Sequence, residues 1–203
     1  AIPTSTAVTA PTPALKHSTL IVNTPVTEGS TTMSYTFALN VPLKASDKIT
    51  LTLPTFGLSS VGTLTKSGCG STTFTAAETN GGAANAAMTL TAATATLNAY
   101  EQCTVNIGAG VTASSAVQAA NLNTRKVVVT LSGVSDVASE AITTSTAVAA
   151  PVLSTSVLTI ANPVAWAASS LSFRFVSNAP VKASDTIALT LPTFTLGTPV
   201  TPT

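Results

Sequence analysis

Charge is nearly missing from this chain. Asp, Glu, Lys and Arg together make up 7% of its 203 residues, against the roughly 25% usual in soluble domains. The net charge is +1 and the cations are scattered. Nucleic acid is therefore not an expected partner, because duplex binding needs clustered Lys and Arg to displace counterions. The acids stand singly at Glu28, Asp47, Glu78, Glu101, Asp136, Glu140 and Asp185. That spacing offers no D-x-D run for calcium, and no carboxylate pair for glycoside cleavage is visible along the chain. The single histidine, His17, lies in a segment read as an inter-domain linker, with no acid or nucleophile near it in sequence to build a catalytic set. Two cysteines and one distant histidine fall short of the four ligands of a zinc site. The expectation is no enzyme, no metal and no cofactor.

Long apolar runs are missing too. No stretch of roughly 18 residues is free of Thr, Pro and Gly, so no membrane span is expected. The first residues, AIPTSTAV, show neither the basic nor the apolar region of a signal peptide. No usable N-x-S/T sequon occurs, so any glycans would be O-linked to Thr, Ser or modified Pro.

What fills the chain instead is 39 Thr and 33 Ala within a 45% apolar composition. That apolar content suffices for a packed core. Thr is β-branched and suits a pleated surface, and its hydroxyl can carry the solvation that charge does not. The balance suits an extracellular or cell-surface β-protein.

The chain also repeats itself. Pro42–Phe56 (PLKASDKITLTLPTF) returns as Pro180–Phe194 (PVKASDTIALTLPTF), 12 of 15 positions identical and 138 residues on. Ala1–Pro11 (AIPTSTAVTAP) returns as Ala141–Pro151 (AITTSTAVAAP), 9 of 11 identical at an offset of 140. The phase divides the chain into the last strand and linker of a preceding repeat (1–12), a complete repeat (13–150), and the front of a following one (151–203). Tandem units of this kind build arrays in which each contacts mainly its neighbours.

Within a repeat, apolar residues alternate with polar ones between breakers, the period of half-buried strands. Leu20 and Val22 form one inward face, Met33, Tyr35, Phe37 and Leu39 a second, and Ile49, Leu51 and Leu53 a third, ended by Pro54. Further strands are expected at Ser71–Ala76, Ala87–Ala92, Cys103–Ile107, Lys126–Leu131 and Ile142–Val148. The second copy keeps the inward positions apolar (Leu158, Ile160, Leu171, Phe173, Phe175), while outward Thr36 becomes Arg174. No segment carries a 3.6-residue period; Ala-rich Ala83–Ala99 reads as strand and loop. Seven to nine short strands in about 138 residues predict an all-β chain of tandem immunoglobulin-like β-sandwich repeats. Short Ala/Pro/Thr linkers, as at Ala149-Ala150-Pro151, would hold neighbours in a semi-rigid line.

Cys69 and Cys103, 34 residues apart, read as a disulfide, with two buried free thiols as the alternative. Lys44-Ala45-Ser46-Asp47 and its copy Lys182-Ala183-Ser184-Asp185 read either as a turn closed by Ser and Asp or as a contact point on each module. Trp166 and Tyr100 are the loop aromatics that could form an interface; Trp166 reads equally as packing on the adjacent linker.

The S-D-x-I-x-L-x-L-P-x-F stretch, behind an aromatic strand (Tyr35, Phe37; Phe173, Phe175), resembles an Ig-like module found in tandem in large secreted and cell-surface proteins of microbes and algae. The resemblance implies an adhesive, filamentous or surface-coat role, and no catalytic residues. The expected function is a non-catalytic structural repeat segment of a longer extracellular filament, hair or surface layer, self-assembling with copies of itself or with neighbouring repeats. Two alternatives stay open: an adhesin or carbohydrate-binding sandwich, and a filament subunit that assembles by strand donation.

Overall fold

The structure is a computed structural model that describes residues 11–60, 62, 64–164 and 167–195. Among them every regular element is a strand: β1 Leu15–Val22, β2 Ser30–Leu39, β3 Lys48–Thr52, β4 Gly57–Leu58, β5 Leu64–Ser67, β6 Thr73–Thr79, β7 Ala87–Thr94, β8 Cys103–Thr112, β9 Lys126–Thr130, β10 Val137–Ala141, β11 Thr144–Ser145, β12 Leu153–Ile160 and β13 Leu171–Ser177. No helix among the described residues is long and apolar enough to cross a membrane.

Two sheets hold the first eleven strands. One runs β11-β1-β2-β8-β4 with β5 also paired to β8, and the other runs β10-β9-β3-β7-β6. Their inner faces share one core. Leu20, Met33, Tyr35, Phe37, Val105 and Ile107 enter from the first sheet, and Ile49, Leu51, Met88, Leu90, Val127 and Val129 from the second. An all-β arrangement of this kind is consistent with a β-sandwich. The predicted inward faces of β1, β2 and β3 are all buried, as period-2 alternation requires.

The polar side of the sheets explains how the chain manages with so little charge. Thr hydroxyls pair across strands, at Thr36–Thr104 (2.9 Å), Thr50–Thr89 (3.1 Å) and Thr73–Thr94 (2.7 Å), and Ser34 donates to the Asn106 Oδ1 at 2.7 Å. Such cross-strand pairs contribute roughly 0.2–1 kcal/mol each. Gly110 in β8 has φ +75°, and a Cβ there would lie 2.2 Å from the Ser59 carbonyl oxygen; only glycine admits that approach.

Two local readings change. His17 sits inside β1, exposed and opposite Ala38, with Nε2 3.2 Å from the Thr19 hydroxyl, and is no linker residue. The expected strand Ile142–Val148 is mostly irregular: β11 is two residues long, and single bridges at Val148 and Ala149 continue its course.

Residues 151–195 contribute β12 and β13, an isolated two-stranded sheet. It copies β1–β2 at an offset of 138. Leu20↔Tyr35 becomes Leu158↔Phe173, and the irregularity between Leu15 and His17 becomes one between Leu153 and Thr155. The Asn40 side chain accepts from the Ala14 amide at 2.7 Å, and Asn178 from Val152 at 2.8 Å.

Candidate functional site

Two short turns occur twice in the chain, and comparing their copies separates what local chemistry builds from what neighbours add. In Lys44–Asp47 the Asp47 Oδ2 accepts from the Lys44 amide at 2.7 Å, and Ser46 has φ 75°. In Lys182–Asp185 the same bond is 2.7 Å and Ser184 has φ 78°. A bond spanning three residues needs nothing beyond the turn. In the complete unit, Asp47 does more: its Oδ1 accepts from both the amide and the hydroxyl of Ser132, at 2.7 Å each. Asp47 is buried and Asp185 exposed. The turn reading therefore accounts for this motif. Lys182 Nζ also lies 2.7 Å from Glu28 Oε2, in the loop between β1 and β2. Both side chains are about half exposed, so this pair orients more than it stabilises.

The Leu-Pro-Thr-Phe turn behaves alike. Thr55 and Thr193 have φ 62° and 67°, and each hydroxyl donates to the preceding proline carbonyl, at 2.7 and 2.6 Å. In the complete unit this turn receives a buried polar cluster. Gln118 Nε2 donates to the Pro54 carbonyl (2.8 Å) and to Ser114 Oγ (2.9 Å). Its Oε1 accepts from Arg125 Nε (3.0 Å) and Nη2 (2.8 Å). Arg125 Nη1 donates to the Thr146 carbonyl, and the guanidinium carbon stands 5.5 Å from the centre of the Phe56 ring. Arg125 is fully buried, and none of the described carboxylates forms an ion pair with it. Burial lowers its affinity for the proton. The sequence reading missed this cluster, although Arg125, Val127 and Val129 share one period-2 face.

Cys69 and Cys103 form a disulfide with Cα atoms 4.4 Å apart, tying the Gly68–Gly70 loop to the start of β8. Such a bond fits an oxidising compartment. Tyr35, buried on β2 beside β1, places its hydroxyl 3.1 Å from Ser18 Oγ. Burial is the main cause that raises its pKa, and the Ser18 bond offsets part of it.

The described residues contain no group of three or more His, Cys, Asp or Glu able to hold a metal. Two shallow depressions measure about 200 and 290 Å³, smaller than the cavities that usually enclose a ligand. Tyr100 is exposed in the loop between β7 and β8, with φ 64°. Trp166 lies outside the described residues. No family model, curated protein or solved structure matches this chain.

What stands out by geometry is the sheet β12–β13. Leu158 and Leu171 are 38% and 37% exposed, where their counterparts Leu20 and Met33 are fully buried. Ile187 and Leu189, counterparts of Ile49 and Leu51, are exposed and belong to no strand. Among the described residues, no second sheet packs on this apolar face and no strand pairs with the outer edge of β12.

Proposed function

We propose that the chain is a non-catalytic structural repeat segment of an extracellular filament, hair or surface layer, made of tandem Ig-like β-sandwich modules of about 138 residues. The observation that carries this reading is the hairpin copied register for register from β1–β2 into β12–β13, as tandem modules of one design require. The hydroxyl-rich surface supports an extracellular setting, as does the disulfide, and gives sites for O-linked glycans.

The test is electron microscopy of the native assembly. Modules strung end to end predict an axial repeat of roughly 40–50 Å, from strands of ordinary length plus a linker. Native protein that stays as discrete particles with no axial repeat would refute the proposal.

A further inference from the structure

The buried Arg125 reaches past the Leu-Pro-Thr-Phe turn: its Nη1 donates to the carbonyl of Thr146, in the segment by which the chain leaves the complete unit. That segment, Thr144–Ala149, runs parallel to β1. Thr144 stands opposite Thr19, Ser145 opposite Leu20, and a parallel bridge joins Ala149 to Val26. The Thr146 amide donates to the Leu20 carbonyl and the Val22 amide to Thr146 Oγ1, both at 3.1 Å. Ala149 donates to the Pro25 carbonyl at 2.7 Å and accepts from the Thr27 amide at 2.9 Å. The other side of the segment is bonded too. The Ser145 amide donates to Asn121 Oδ1 at 2.7 Å, and Gln118 and Val148 exchange amide-to-carbonyl bonds at 2.9 and 2.8 Å. Ser145 and Val148 are buried, as is Ile142 just ahead of them.

Parallel pairing fixes how this contact meets tension. The chain enters β1 at Leu15 and leaves the unit past Ala149, which lies beside Val26, beyond the last residue of β1. A pull along a tandem array therefore drags β1 and the exit segment in opposite directions along their shared axis. The bonds of a parallel pair run across that axis from strand to strand, so they carry the load together. An antiparallel hairpin pulled from its open end loses its bonds one at a time. Sliding the exit segment by one residue also leaves the buried Arg125 guanidinium an acceptor short, which is costly. We propose that the complete unit is a load-bearing module, with β1 and Thr144–Ala149 as a shear clamp and Arg125 as the residue that locks the exit segment from the core side. The load itself rests on the filament reading; the clamp belongs to a single unit and is tested without a filament.

The experiment is constant-force spectroscopy on the 203-residue chain, held by handles at its two ends. With dithiothreitol present, unfolding of the complete unit is followed by a second gain of about 120 Å, from the 34-residue separation of Cys69 and Cys103 at about 3.6 Å per residue. That second gain identifies the event. Thr146→Val removes the acceptor of the Val22 amide, and Arg125→Met removes the bond to the Thr146 carbonyl. Each should unfold on the order of tenfold faster than wild type at the same force, because these contacts break on the way to the barrier. Asp47→Ala loses bonds away from the clamp. Its rate under load should stay within about twofold of wild type even though its equilibrium stability falls. A wild-type rate in Thr146→Val, or an Asp47→Ala rate raised as much as that of Thr146→Val, would overturn the clamp. A wild-type rate in Arg125→Met would overturn the lock. A native assembly with no axial repeat sinks the filament reading, and the unfolding rates still decide the clamp.

Discussion

Replacing Gln118 by leucine should remove more stability than any single loss of apolar contact at that site. Its Oε1 holds two bonds from the buried Arg125, at 3.0 and 2.8 Å, and bonds to a charged group are worth about 1.5–3 kcal/mol each. In the variant the guanidinium stays buried, with the Thr146 carbonyl and the Phe56 ring as its remaining partners. Breaking one side of a buried charged contact costs about 3–5 kcal/mol, and the ring contact, present in both chains, cancels. A loss of about 3–5 kcal/mol follows, or roughly 10–15 °C in Tm for a domain of this size. Both states keep Arg125 charged near neutrality, and its folded-state proton affinity is lowered. The loss should thus stay flat between about pH 6 and 9, and the burial penalty lifts only in strong alkali. Urea unfolding of four chains measures it: wild type, Gln118→Leu, Arg125→Met, and the double variant. The double should be more stable than Gln118→Leu alone, because no buried charge is left without a partner. A Gln118→Leu loss under about 1 kcal/mol, or strict additivity across the cycle, would refute the reasoning.

Replacing Cys69 and Cys103 together by alanine should cost about 4 kcal/mol, from the closure entropy of the 34-residue separation; denaturant midpoints with and without reductant check it. Asp47→Ala strips three acceptor contacts from a buried carboxylate and should cost about 2–4 kcal/mol. Asp185→Ala breaks the same local bond in an exposed copy, and should move the main unfolding transition by less than about 0.5 kcal/mol. Equal effects would contradict the role given to Ser132. Tyr35 keeps its proton more tightly in the fold than at its ordinary value of 10.0. Its contribution is therefore whole below about pH 10 and falls above it by about 1.4 kcal/mol per pH unit. Unfolding of Tyr35→Phe between about pH 9 and 11 should lack that slope; an unchanged slope would clear Tyr35 of the effect.

Much of the first sheet and its core was legible from alternation alone. Met33, Tyr35, Phe37 and Leu39 announce β2 because every second residue is large and apolar. β5 (Leu64–Ser67) announces nothing, since it is a polar edge strand held by β8. β10 was missed for the same reason, its last four residues being exposed. Arg125 was missed because a charge inside a core is exceptional, and only the convergence of Gln118, Thr146 and Phe56 makes it tolerable. Cys69 and Cys103 were paired correctly, but that they tie a loop to β8 is a matter of the sheet.

The two copies of Pro42–Phe56 divide what sequence decides from what tertiary structure decides. Ser46 and Ser184 share one backbone conformation, Thr55 and Thr193 another, and both aspartates close the same three-residue bond. Those features recur in buried and exposed settings because their partners lie within the turn. The hairpin register recurs too, since β1 and β12 carry the same inward pattern. Strand and core do not recur. Ile49 and Leu51 are buried in β3 between β7 and β9, while the matching Ile187 and Leu189 lie exposed with no ladder. A strand's hydrogen bonds go to other strands, and an apolar face is buried only when a second sheet meets it. By itself the sequence determined turns, facing and register, and the scarcity of charge that leaves Thr hydroxyls to cover the surface. Which of those faces became a core was decided by the strands that reached them.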